Sequence, residues 1–391
     1  MKKLLICLLV LFVSFAVFAN GQEEKNSTVN EPIKIGSIQD LSGSASNAGR
    51  PNAWGAEYAV KVINENGGIN GRMIEIYTQD CKNDVTEGLN AYHKLVDEIG
   101  VCAIIGPALS NPASAWVDLA EEDSVPIVGH FMDEICTTNP DNGETYKYMF
   151  LCEPSCSQQA RALAKYAIDT LGKTKFAVLY NPSNAFAKAQ ADPFVKYVEE
   201  RGCKVTDSET FGWADKDYSA QALKIVASGA ECVFLGDYLA QMLIAYEALR
   251  DAGFKGTVVG ANTMAPPFAD QVKNEVYDVY FLQNYDMLNK NVGNIYELTQ
   301  KHMSETGTTS PQVNVGFGWD AVQVLVSAMK KAKNPTDGKE LQSLLEQTKD
   351  LELSGGVKIT INDKHRTDTM GMYIATYVDK QMTIVGYEKV D

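Results

Sequence analysis

Four short apolar segments decide the fold: Ile33–Ile38 (IKIGSI), Met73–Thr78 (MIEIYT), Cys102–Ile105 (CAII) and Pro126–Val128 (PIV). Each has the length and β-branched content of a buried strand. Helical patterns separate them. In the first, Trp54, Ala59, Val62 and Ile63 form an apolar stripe that ends at Gly67-Gly68, a pair suited to closing a helix. The second and third run over Val85–Ile99 and Pro112–Asp123. The order β-α-β-α-β-α-β predicts an open, doubly wound parallel sheet.

After a loop of roughly twenty residues the rhythm restarts. Helices are expected at Ser157–Leu171, Ala185–Arg201, Tyr218–Ser228 and Leu239–Ala252. Strands are expected at Phe176–Tyr180, Cys203–Val205, Cys232–Leu235, Thr257–Val259 and Val279–Leu282. Three more helices follow, over Asn291–Thr306, Val315–Ala332 and Lys339–Thr348. The tail reads as strands at Val357–Ile361, Met372–Val378 and Met382–Tyr387, the last two joined by a turn at Asp379-Lys380. Two α/β lobes of similar size therefore face each other. Open α/β sheets bind ligands beyond the carboxyl ends of their strands, so two such edges can close on one small molecule.

Length and composition agree. The chain has 391 residues, 45% of them hydrophobic and 22% charged, enough for two or three domains with full cores. Its net charge of −15 argues against nucleic acid, whose binding needs basic residues to neutralise phosphates. It argues equally against a polybasic membrane anchor.

The first residues stand apart. Lys2 and Lys3 precede an apolar run from Leu4 to Phe18 broken only by Ser14, and Val17-Phe18-Ala19 places small residues at the positions a signal peptidase reads. This is the pattern of a secretory leader cleaved near Ala19, and the run is short for a membrane span. Residues 20–31 form a polar, flexible lead-in. Cys7 lies inside the apolar run, not just after it, which argues against lipidation. Seven cysteines follow. Cys102, Cys203 and Cys232 read as buried thiols, whereas a disulfide among Cys136, Cys152 and Cys156 is an open alternative in an oxidising compartment.

Enzyme signatures are weak. Gly172-Lys173-Thr174 resembles the end of a phosphate loop, but the earlier glycine it requires is Ala167. The four histidines, His93, His130, His302 and His365, have no zinc spacing. His93 and His302 fall on helices as solvated residues, and only His130 follows a strand end. The sequence calls for no metal, cofactor or catalytic residue.

From Ile33 to about Asp363 the chain resembles the periplasmic ligand-binding proteins of the branched-chain amino acid ABC transporter family. The specific stretch is Gly55–Arg72 (GAEYAVKVINENGGINGR), supported in order by Ile104–Ser110, Val125–Val128, Ser157–Ala160 and Trp319–Val322. The resemblance implies a type I flytrap: two doubly wound α/β lobes joined by three hinge crossings. The expected lobes are 32–150 with 284–352, and 151–283 with 353–391. It also implies a likeness in role: an exported, monomeric receptor that binds an amino acid or similar small molecule and hands it to a membrane permease. An exported hydrolase-like α/β enzyme is the alternative.

Site residues follow from the same likeness. Ser110 sits at a strand-to-helix turn suited to a carboxylate. Phe131 and Asp133 occupy a contact loop, with Asp133 a candidate partner for a ligand amine. Phe186 and Tyr238 fall where the family has aromatics that touch ligand. Asn262 stands where an amine-binding carboxylate can sit, and Ala48 replaces an aromatic.

Overall fold

The computed structural model describes residues 31–367 and 369–389; the leader and nearly all of the lead-in lie outside them. The first half builds β1 (Ile33–Gln39), α1 (Ser46–Glu65), β2 (Ile74–Asp80), α2 (Val85–His93), β3 (Ile104–Ile105), α3 (Ser110–Ser114), α4 (Val117–Asp123), β4 (Ile127–Gly129) and β5 (Met149–Leu151). The strands form one parallel sheet in the order β2-β1-β3-β4-β5. Strands β3, β4 and β5 are buried at every residue, which is why they read as unbroken apolar runs.

The second half supplies α5 (Cys156–Asp169), β6 (Lys175–Tyr180), α6 (Ala185–Glu200), β7 (Lys204–Thr210), α7 (Ser219–Ala227), β8 (Cys232–Gly236), α8 (Leu239–Asp251), β9 (Thr257–Gly260), α9 (Phe268–Gln271) and β10 (Val279–Gln283). The chain then returns to the first lobe with α10 (Ile295–Thr306), α11 (Val313–Met329), α12 (Gly338–Leu345) and the small ladder β11 (Leu351–Glu352) and β12 (Lys358–Ile359). Last come β13 (Met372–Val378) and β14 (Gln381–Glu388). Strand β13 adds antiparallel to β10 and β14 antiparallel to β13, giving a second sheet ordered β14-β13-β10-β9-β8-β6-β7. Their turn holds Asp379 and Lys380 at φ 48° and 60°, the left-handed pair that a tight hairpin requires.

Three segments cross between the lobes: residues 152–155, 284–294 and 362–371. The last lies beyond the expected boundary at 352. Leu353, Ile359 and Ile361 are buried in the first lobe's cluster with Ala56 and Val60 of α1 and Val324 and Leu325 of α11. In the third crossing His365 stacks on Phe150 of β5 at 4.3 Å.

Other expectations needed correction. The helix expected over 112–123 is two helices with a break at Ala115-Trp116, where the wholly buried Trp116 packs against Gly88 of α2. Strand β5 lay unseen in the long loop. His302 is buried, its ring edge-on to Trp54 at 5.1 Å, instead of solvated. Cys102 and Cys203 are half-buried, and all seven described cysteines are free thiols, Cys136, Cys152 and Cys156 among them.

Candidate ligand-binding cleft

A doubly wound sheet has a switch point where neighbouring strands run to opposite sides, leaving a crevice beyond their carboxyl ends. The first sheet switches at β1/β3 and the second at β6/β8. The two crevices meet. Asn47 and Ala48 follow β1, Ala108 and Leu109 follow β3, Phe186 follows β6, and Tyr238 and Leu239 follow β8; all line one cavity between the lobes. Met132 after β4, Asn262 and Thr263 after β9, and Gln312, Asn314 and Phe317 at the start of α11 complete the polar and aromatic wall. No side chain lining the cavity is charged. Its volume is ≈ 60 Å³.

Phe186 and Tyr238 stack with ring centroids 5.7 Å apart and planes at 19°. Their loops are pinned from behind. Asn184 caps α6 through the Phe186 N–H and donates Nδ2 to Asp237 at 2.7 Å, and Asp237 accepts the Tyr238 N–H at 2.6 Å. Burial pushes the Asp237 carboxyl up to about 6, against these hydrogen bonds. Burial, then the neighbouring Asp237, raises the Tyr238 phenol well above its usual range, so it stays protonated. Its hydroxyl has no partner among the described residues, nor has the buried Thr263 hydroxyl. A buried polar group left without a partner costs roughly 1–3 kcal/mol.

Asn262 lines the cavity and donates Nδ2 to Asn284 Oδ1 at 3.2 Å. Ser110 is buried just behind the Ala108-Leu109 wall, its hydroxyl accepting the Asp133 N–H at 3.1 Å. That leaves the hydroxyl proton free to donate.

Ser110 is therefore not on the cavity wall, and two further expected contacts, Phe131 and Asp133, lie elsewhere. Phe131 is wholly buried in the first lobe, its ring filling the space over Gly106 and Gly129. A side chain there packs the core and does not reach the cavity. Asp133 faces a separate outer groove with Asn111, Ala185, Lys188 and Asp192. There it caps the short helix Glu134–Cys136 by accepting the Ile135 N–H at 3.2 Å. His130 is buried with both ring nitrogens unpartnered, stacked on Phe317 at 4.3 Å, and burial drives its pKa down to about 3.

The α11 contribution was not foreseen. Gln312, Asn314 and Phe317 lie far along the chain from the strand ends, and no local signal marks a helix start that folds back onto a distant cleft.

The lobes, hinge crossings and shared cleft define a bilobed α/β protein built around an interlobe cavity. The chain belongs to the periplasmic binding protein family, whose model matches residues 32–381. It is 29% identical over 234 residues to Leu/Ile/Val-binding protein homolog 3 of Brucella melitensis; the match spans 60% of this chain and 62% of that relative's length. It is 25% identical over 247 residues to the leucine-, isoleucine-, valine-, threonine- and alanine-binding protein of Pseudomonas aeruginosa, covering 63% and 64% of the two chains. In fold it is similar to the leucine-binding protein LivK of Thermotoga maritima (TM-score 0.83, 21% identity, 91% and 99% covered). It is likewise similar to the substrate-binding protein LivJ of Streptococcus pneumoniae solved with isoleucine (TM-score 0.79, 24% identity, 92% and 99% covered).

Proposed function

We propose that the protein is an extracytoplasmic solute-binding protein of an ABC importer. It takes an amino acid or similar small polar ligand between its lobes and delivers it to a membrane permease. One observation carries the reading: two buried hydroxyls, on Tyr238 and Thr263, lack partners on the wall of a neutral cavity walled by both lobes. A polar ligand in that cavity satisfies them. Relatives named for binding leucine, isoleucine and valine support an amino acid. The cavity is walled by both lobes, so the lobes part to admit the ligand and close over it, and that hinge motion is the functional event. The reading places a monomeric receptor in the periplasm, exported by a leader cleaved near Ala19, and assigns it no catalysis.

The test is a thermal-shift screen of the common amino acids and their deaminated carboxylates, followed by small-angle scattering on any binder. The expected result is one or more stabilising ligands and a smaller radius of gyration at saturation. No stabilising compound, or an unchanged radius, overturns the reading.

A further inference from the structure

The cavity wall at Asn262 continues inward as a polar chain. Asn262 Nδ2 donates to Asn284 Oδ1 at 3.2 Å, and Asn284 Nδ2 donates to Glu153 Oε2. All three side chains are buried: Glu153 is 1% exposed, Asn284 0% and Asn262 8%. Glu153 lies in the first hinge crossing and Asn284 opens the second. The chain therefore runs from the hinge to the ligand cavity.

Such a chain has a direction. An amide has a donor end and an acceptor end, whereas a carboxylate only accepts. With Glu153 at its inner end, Asn284 turns its NH₂ inward and its oxygen outward. Asn262 must then turn its own NH₂ inward. Its carbonyl oxygen Oδ1 is left over, without a partner among the described residues, on a side chain that lines the cavity. Burial raises the Glu153 carboxyl well above its usual range, partly opposed by Asn284. Protonation at Oε1, which has no partner, keeps Oε2 as the acceptor and leaves the direction unchanged.

We propose that Glu153, acting through Asn284, is a positioning residue for specificity: it holds Asn262 with its carbonyl oxygen toward the cleft, so that the site selects a ligand bringing an ammonium or amide N–H to that point. This rests on the cleft being the ligand site. A carboxylate or ether oxygen at that point would face a carbonyl oxygen with no hydrogen between them. The neutral wall offers no carboxylate to a ligand amine, so this acceptor and its buried acid take that part.

Glu153→Gln tests the inference. The substituted amide can offer its own NH₂ to Asn284 Oδ1, which frees both asparagines to turn over. The probes are L-isoleucine and 3-methylpentanoate, or the amino acid that binds best in the screen with its deaminated counterpart. Calorimetry on the wild type is expected to favour the amine-bearing compound by about tenfold or more, the worth of one hydrogen bond to a charged group. Glu153→Gln is expected to erase most of that preference with little change in melting temperature. Asn284→Ser, which cuts the chain one link nearer the cleft, is expected to do the same and stands in should Glu153→Gln fail to fold. A wild type that binds the deaminated compound equally well, or variants that keep the preference, overturn the inference while the receptor reading stands. If no compound in the screen binds, the receptor reading fails, and the ligand-free protein still decides the relay. The side-chain amide signal of Asn262 in proton–nitrogen correlation spectra, assigned by its loss in Asn262→Ser, must shift in both variants; an unmoved signal overturns the relay.

Discussion

Asn111, in the first lobe, accepts the backbone N–H of Ala185, in the second, at 2.8 Å through its side-chain oxygen. Ala185 is the first residue of α6, so its N–H is one of the four at a helix start with no partner inside the helix. Asn111 supplies that partner only while the lobes are together. The contact sits next to Phe186, and under the proposed hinge closure it acts as a latch.

Asn111→Ala is expected to weaken ligand binding roughly three- to tenfold, the worth of one neutral hydrogen bond. In the open form the Ala185 N–H bonds to water, so the melting temperature of the ligand-free protein should hold. Calorimetry and a melting curve check both halves. An unchanged affinity means that the bond is not formed at closure.

Tyr238→Phe separates binding from folding. The hydroxyl is unpartnered with the lobes together and meets water once they part, so its removal should leave the ligand-free protein as stable as the wild type. With ligand bound, the hydroxyl has a partner and its loss costs about 0.5–1.5 kcal/mol. The Phe186 stack survives in both proteins. Melting curves and affinities for the same ligand test both halves, and a variant less stable without ligand and unchanged in affinity contradicts the account.

The alternation of strand and helix was legible because buried parallel strands write themselves as apolar runs. It failed where burial does not follow that rule. Strand β7 extends to Thr210, yet its residues are mostly polar and partly exposed, so only its apolar start at Cys203–Val205 could be read. Strand β5 is three residues between polar segments, too short for any period. At the site, Phe186, Tyr238 and Asn262 were reachable through the family likeness, and each lies in a segment that follows a strand end. Phe131 also follows a strand end, but alternate positions there point to opposite sides, and its ring turns into the core. Glu153 and Asn284 were out of reach: among 50 acidic residues, nothing in the chain distinguishes one that is buried at a hinge crossing.

Glu134 joins the lobes at the hinge. Its Oε1 accepts the Ser155 hydroxyl at 2.6 Å and the Ser157 hydroxyl at 2.5 Å, and pairs with Arg366 of the third crossing at 2.9 Å. Burial alone would raise its pKa, but these donors hold it below the ordinary range. Glu134→Gln keeps the shape and loses the charge that three donors share. Because the Glu134 side chain is 42% exposed, solvent screens the pair, and the variant is expected to lose only about 0.5–1 kcal/mol near neutral pH, a loss that shrinks as acid protonates the wild type. A melting-temperature difference that stays constant down to pH 3 contradicts this.

Asp133 carries the opposite sign. Burial pushes its carboxyl up to about 6 from an ordinary 3.8; Glu134 beside it adds to the rise, and the Ile135 N–H and Lys188 oppose it. Because the folded protein holds this proton more tightly than the unfolded chain, the contribution to stability is whole below about pH 4. It is lost as pH rises through about 6. Asp133→Asn removes the titration while its amide oxygen can still accept the Ile135 N–H. Wild type and variant are expected to melt together at pH 4. The variant should gain on the order of 1–3 kcal/mol by pH 7.5, two pKa units being worth about 2.7 kcal/mol. Because Asp133 faces the outer groove with Lys188 and not the cavity, its substitution should leave the preference for amine-bearing over deaminated ligands unchanged. Melting curves from pH 4 to 8 and paired affinities decide both points. A variant less stable than wild type at pH 7.5 would mean that the ionised carboxylate is a stabilising partner of Lys188, and a lost preference would return Asp133 to the ligand.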